Sequence, residues 1–264
     1  MEIVEVDGLR IAYERAGAGP PLVLLHGYVG DGPATWGPQV EGLADEFTVV
    51  AWDAPGMGGS SDPPEHFGMA GYADCLAGFI DRLGLERPHV GGLSFGGALA
   101  LGLYQRHPTV PATLILASAY AGWGGSLAPP VVQERLRQAL TLADLPPEQL
   151  VEALLPSMFS GAADDRSISR FARSMAAVHP AGLRALARAC AEDLRGVLPR
   201  IDVPVLLIYG KQDARASPAV ARDLHAAIAG STLVELPDTG HVCSVEAPEA
   251  FNEAIRRFLR GCRA

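Results

Sequence analysis

Hydrophobic positions along the chain fall into two rhythms. Residues 2–14, EIVEVDGLRIAYE, alternate apolar and polar around Asp7-Gly8, and two alternating runs joined by Asp-Gly predict a β-hairpin. Beyond them the apolar runs are short and nearly unbroken: PLVLLHG (21–27), FTVVAWD (47–53), PHVGGLS (88–94), ATLILAS (112–118), VPVLLIYG (203–210) and STLVELP (231–237). Runs of that kind predict strands buried on both faces, as in a parallel sheet. Segments of helical spacing separate them, at 36–45, 69–84, 96–107, 217–230 and 247–260. Ser217 is placed as an N-cap with Pro218 in the first turn, and Pro248 begins the last helix in the same way. Strand and helix alternating in this order predict an α/β, mostly parallel, doubly wound sheet led by an antiparallel hairpin.

One section breaks the rhythm. Residues 121–200 contain no convincing strand, while 130–144 and 167–179 carry apolar residues three and four apart. The pattern predicts a helical insertion (121–200) in a core made of 1–120 and 201–264, rather than a second independent domain.

Composition narrows the function. Of 264 residues, 48% are hydrophobic and 19% charged, which fits a globular chain able to bury its own core. The net charge of −9 argues against nucleic acid or an anionic membrane as partner. No apolar run approaches the ~20 residues of a membrane span. The acidic start MEIVEVDGLR does not resemble a signal peptide. Cys75, Cys190, Cys243 and Cys262 form no C-x-x-C pair, so no metal site is expected and reduced thiols in a cytoplasmic protein are. Nothing in the pattern points to an oligomeric state.

The candidate chemistry starts at HVGGLSFGGALALG (89–102), where five glycines surround Ser94. Gly92-Leu93-Ser94-Phe95-Gly96 fits G-x-S-x-G between an apolar run and a helical one. That is the strand–turn–helix setting in which a serine is held on a strained turn, with only small neighbours fitting around it. A serine hydroxyl needs a base. Among seven histidines, His225 lies in a helical run, His107 at a helix end, His89 in a strand, His66 in a polar loop and His179 in the insertion. His241 follows the last strand, at the sheet edge where open α/β sheets hold ligands. Asp213 follows the preceding strand and is the candidate acid. Asp53 reads as part of a structural turn and Asp238 as a loop-capping residue. The order Ser94, Asp213, His241 is nucleophile, acid, base. The backbone N–H groups of Tyr28 and Phe95 are the candidate oxyanion donors. His26 is expected to hold its loop by hydrogen bonds.

The segments LLHGYVG, DAPGMGGS, GLSFGG, YGKQD and GHVCSVEAPEAF resemble, in order, the landmarks of the α/β-hydrolase superfamily over residues 24–251. Residues 189–213 and 240–252 are similar to 3-oxoadipate enol-lactonases and related small carboxylesterases. The resemblance implies a catalytic triad, no cofactor and a helical cap (121–200) over the site. The acid loop departs from it, with ARAS (214–217) where an apolar pair is usual. Haloalkane dehalogenases and epoxide hydrolases resemble the chain too, but they use Asp where Ser94 stands.

The expectation is therefore a serine hydrolase acting on a small-molecule ester or lactone through an acyl-enzyme on Ser94. Trp36, Trp123, Met158, Phe159, Phe171 and Met175 are candidates for the substrate pocket. Two alternatives stay open: a carbon–carbon bond hydrolase or lyase using the same Ser and His, and a non-catalytic binding protein that kept the fold.

Overall fold

The structure is a computed structural model that describes residues 1–262. The core expected over 201–264 therefore has its last two positions, 263–264, outside the described residues. A hairpin of β1 (Glu2–Val6) and β2 (Leu9–Ala16) opens the chain. Asp7 and Gly8, with φ of 48° and 84°, make its turn, the left-handed pair that suits a two-residue hairpin. Then follow β3 (Pro21–Leu25), α1 (Gly32–Gly42), β4 (Thr48–Trp52), α2 (Gly68–Arg82), β5 (His89–Leu93), α3 (Phe95–Arg106) and β6 (Thr113–Ala117). Five helices come next: α4 (Trp123–Ser126), α5 (Pro129–Leu142), α6 (Pro147–Leu154), α7 (Asp165–Ala176) and α8 (Pro180–Cys190). The chain returns to the sheet through β7 (Val205–Gly210), α9 (Pro218–Ala227), β8 (Thr232–Leu236), α10 (Cys243–Glu246) and α11 (Pro248–Gly261).

Among the described residues, the eight strands form one sheet in the order β1-β2-β4-β3-β5-β6-β7-β8. β1 and β2 pair antiparallel, as do β2 and β4, and every other pairing is parallel. The unbroken apolar runs have the expected cause, since every residue of β4, β5, β6 and β7 is buried. β8, at the sheet edge, is only half-buried. No described helix is long and apolar enough to cross a membrane.

The sheet order fixes where chemistry can gather. From β3 the chain moves outward to β4, and from β5 it moves the opposite way through β6, β7 and β8. The direction reverses between neighbouring β3 and β5, and ligands of open α/β sheets bind beyond the carboxyl ends of the strands at such a reversal. Those two ends carry Gly27-Tyr28 and Ser94.

Helix boundaries differ from the sequence pattern in instructive ways. α1 begins at Gly32, four residues before the expected start, because the Asp31 carboxylate accepts from the Ala34 N–H at 2.7 Å and Pro33 suits the first turn. Ser217 stands at the N-cap of α9 as expected, yet its side chain makes no capping hydrogen bond. α4, α6 and α8 have no counterpart in the hydrophobic pattern. α8 buries Leu183 and Leu186 together with alanines, a stripe too weakly apolar to stand out. In the 121–200 segment, α7 packs on α6 and α1, and α8 on α2, α3 and α5.

Candidate active site

β5 ends in a turn that forces Ser94 to φ 54°, ψ −108°, a backbone state costly for any residue with a Cβ. Two bonds hold it there: the Ser94 N–H donates to the Ala117 carbonyl at 2.8 Å, and the Ala98 N–H donates to the Ser94 carbonyl at 3.1 Å. The turn brings α3 against the end of β3. A Cβ on Gly96 would collide with the backbone carbonyls of Leu25 and His26, so the glycine there is a steric requirement. Phe95 is the first residue of α3, and its N–H lies at the positive end of the helix.

Tyr28 follows β3 on a loop pinned by His26. The Ala54 N–H donates to His26 Nε2 at 2.9 Å, so the ring proton sits on Nδ1, which donates to the Gly27 carbonyl at 2.6 Å. Burial pushes the His26 pKa below its ordinary value and keeps the ring neutral, against the opposing pull of Asp53. Asp53 in turn accepts from the N–H groups of Gly32 and Gly59, each at 2.8 Å. His26 and Asp53 thus brace the loop, as their sequence positions suggested. Among the described residues, neither the Tyr28 nor the Phe95 N–H donates to another backbone group.

His241 and Asp213 meet from the ends of β8 and β7. His241 Nδ1 lies 2.9 Å from Asp213 Oδ2 and 3.1 Å from Oδ1. Asp213 Oδ1 also accepts from the N–H groups of Arg215 at 2.8 Å and Ala216 at 2.9 Å. Burial works to raise the Asp213 pKa. The charge and hydrogen bond of His241, with the two backbone donors, outweigh it and hold the carboxyl below its usual range. Both side chains are almost wholly withdrawn from water, with 4% and 0% exposure for His241 and Asp213.

Ser94 and His241 line one cavity of about 10 Å³, room for roughly one water, with Tyr28, Met158 and Phe171 among its other walls. The serine and imidazole are not hydrogen-bonded to each other here, and such bonds commonly tighten only around substrate. A second cavity, about 160 Å³, shares Tyr28 with the first and includes Trp123 in its wall. A larger hollow of about 660 Å³ between β8 and α11 shares no wall residue with either.

The six pocket candidates scatter. Met158 and Phe171 wall the small cavity and Trp123 the second. Phe159 packs edge-on against Phe171, with ring centroids 5.5 Å apart. Trp36 and Met175 wall neither cavity. Trp36 is fully buried and its ring centroid lies 5.9 Å from that of Phe251, so it belongs to the α1–α11 packing. Met175 is fully buried on α7. The other histidines point elsewhere. His89 pairs with Thr113, His107 with Asp74, His179 with Asp62 and His225 with Ser231, each at 2.7–3.0 Å.

Three residues escaped the sequence pattern. Glu246 accepts from the N–H groups of Gly240 at 3.0 Å and Ser160 at 3.1 Å, and the Val242 N–H donates to the Met158 carbonyl at 3.0 Å. The loop bearing His241 is thereby stitched to the 121–200 segment. Arg135 and Arg215 wall the second cavity. The only sequence signal for Arg215 was the ARAS departure in the acid loop.

The family model described as "Alpha/beta hydrolase family" matches residues 22–254. A thermophilic esterase from Thermogutta terrifontis, solved with malate bound, superposes with a TM-score of 0.92 at 30% identity, covering 100% of both chains. The enol-lactonase of Burkholderia xenovorans LB400 gives 0.88 at 28% identity, over 98% of this chain and 100% of that one. A Caulobacter vibrioides protein provisionally named carbamate hydrolase RutD is 31% identical over 99% of this chain and 98% of its own length.

Proposed function

Because the chain belongs to the alpha/beta hydrolase family, we propose that it is a serine hydrolase cleaving small carboxylic esters or lactones through an acyl-enzyme on Ser94. One observation carries the reading: a strained serine and a carboxylate-anchored imidazole share one cavity at the reversal point of the sheet. Similarity to an esterase and an enol-lactonase supports the choice of substrate class.

With Nδ1 committed to Asp213, His241 has Nε2 left for Ser94. Nε2 takes the hydroxyl proton as Oγ attacks the substrate carbonyl, and Asp213 stabilises the resulting imidazolium. The N–H groups of Tyr28 and Phe95 receive the oxyanion, and each such donor is worth about 10²–10³ in turnover. His241 returns the proton to the leaving alkoxide. It then takes a proton from water, whose oxygen attacks the acyl-enzyme carbonyl, and hands that proton to Ser94 Oγ as the acyl–oxygen bond breaks and the acid leaves. The cavity beside Ser94 is too small for an ester, so the helical 121–200 segment acts as a cap that yields to admit one.

The test assays p-nitrophenyl esters, an enol-lactone and a vinylogous diketone side by side, with wild type and Ser94→Ala. Ester or lactone turnover in wild type, lost by several orders of magnitude in the variant, is the expected result. Turnover of the diketone alone, or Ser94→Ala retaining more than about a tenth of the rate, overturns the proposal.

A further inference from the structure

The exit of β6, residues 117–119, carries no catalytic group, yet it is bonded to the segments of all three. The Ala117 carbonyl accepts from the Ser94 N–H at 2.8 Å. Ser118 Oγ lies 3.7 Å from Cys243 Sγ, a hydrogen-bonded pair, and Cys243 follows His241 by two residues. The Ala119 carbonyl accepts from the Tyr209 hydroxyl at 2.8 Å, and Tyr209 stands in β7, shortly before Asp213. The turn itself is fixed to β7, because the Ser118 N–H donates to the Ile208 carbonyl at 2.9 Å.

Ser118 is a costly residue for this place. Its φ of 44° is left-handed, which a glycine would adopt at lower cost, so the hydroxyl is what the serine adds. Ser118 and Cys243 are both fully buried, and among the described residues the Ser118 hydroxyl has no other hydrogen-bond partner. Burial pushes the Cys243 thiol up to about 12, so it stays uncharged. Cys243 opens α10, whose next residue is held to α1: Ser244 Oγ donates to the Thr35 carbonyl at 3.0 Å, and Gln39 Nε2 donates to the Ser244 carbonyl at 2.9 Å. A tie at Cys243 is therefore carried stiffly to the adjoining loop that bears His241.

No hydrogen bond joins Ser94 to His241 here, so the gap between hydroxyl and imidazole is set by the segments that carry them. We propose that Ser118 is a positioning residue: its hydroxyl, bonded to Cys243, fixes the reach of His241 toward Ser94 from the same turn that holds the Ser94 backbone. This rests on the serine-hydrolase reading and deepens it, by naming what aligns the base with the nucleophile. Misplacing a reacting group by about 1 Å costs up to about 10²-fold in rate, so a contact remote from the substrate can govern turnover.

The experiment measures kcat and KM on a p-nitrophenyl ester, and Tm, for wild type, Ser118→Ala, Ser118→Gly, Cys243→Ala and the Ser118→Ala/Cys243→Ala double variant. Each single variant is expected to lose about tenfold in kcat with KM within about twofold of wild type. The double variant loses no more than either single one, because both remove the same contact. Ser118→Gly relieves the strained backbone and melts above Ser118→Ala, yet it loses kcat equally. Circular dichroism shows which variants fold, and Ser118→Gly with Cys243→Ala decides the matter where Ser118→Ala does not. Wild-type kcat in folded Ser118→Gly, kcat that follows Tm across the variants, or losses that multiply in the double variant overturns the proposal. Each of these leaves the hydrolase reading intact, since wild type still turns over the ester. Wild type that cleaves no ester removes the hydrolase reading and the proposal together.

Discussion

His241 Nδ1 lies 2.9 Å from Asp213 Oδ2, and the two residues come from loops at the ends of adjacent strands, β8 and β7. The carboxylate is held from both sides, by the imidazole and by the backbone of Arg215 and Ala216. Asp213→Asn places an amide where an acceptor is needed and leaves His241 in the wrong tautomer. Ester turnover is expected to fall about 10³- to 10⁴-fold with the fold retained. A loss under tenfold, in steady-state kinetics on a p-nitrophenyl ester, would remove Asp213 from the mechanism.

The same contact has a signature in stability. The Asp213 pKa is lower folded than unfolded, because His241 and the backbone donors outweigh the opposing effect of burial. A carboxyl shifted that way adds stability above its unfolded value, about 3.9, and loses it as pH falls through the lower folded value. The Tm gap between wild type and Asp213→Asn should therefore hold steady above the unfolded value and narrow as pH falls below it. Scanning calorimetry from pH 6 to 3 measures it, and a gap that widens on acidification has the opposite sign.

Ser94 stores strain. Its φ of 54° and ψ of −108° suit glycine far better than serine or alanine. Ser94→Gly should accordingly be more stable than Ser94→Ala by about 1 kcal/mol, once glycine's greater freedom in the unfolded chain is set against the relieved strain. For a chain of this size that is about 2–4 °C in Tm. Equal melting temperatures would mean that the turn is not strained.

Glu246 touches neither Ser94 nor the His241 ring, yet it fastens Gly240, next to His241, to Ser160 of the helical segment. Removing its carboxylate in Glu246→Ala should lower Tm by a few degrees, in keeping with lost charged hydrogen bonds on a half-exposed residue. It should also lower kcat more than it raises KM, roughly tenfold, because the imidazole loses its fixed place. A change in Tm alone, with kcat intact, would make Glu246 purely structural.

What could be read from the sequence, and what could not, divides along physical lines. The strands were legible because each is buried on both faces and so is apolar without interruption, as in Leu22–Leu25 and Thr113–Ala117. Ser94 announced itself through glycines that the close approach of α3 to β3 requires. Asp213 and His241 were legible because each follows a strand directly, where the topology leaves little choice of location. Helices α6 and α8 were hidden by shortness and by alanine standing where larger apolar residues would have marked a face. Arg135 and Arg215 meet only after the chain folds, with three helices and a strand between them in sequence, so neither carries a local signature. Trp36 looked like a pocket residue on type alone, but α1 turns it into the core against Phe251.

The central claim is that the Ser94 hydroxyl is made nucleophilic by His241. Fluorophosphonate labelling followed by intact-protein and peptide mass spectrometry tests it most directly. The account predicts a single adduct on the peptide containing Ser94, formed rapidly in wild type, slowed by orders of magnitude in His241→Ala and absent in Ser94→Ala. Folded wild-type protein that takes up no label at Ser94, or labelling of Ser94 at an undiminished rate in His241→Ala, would contradict it.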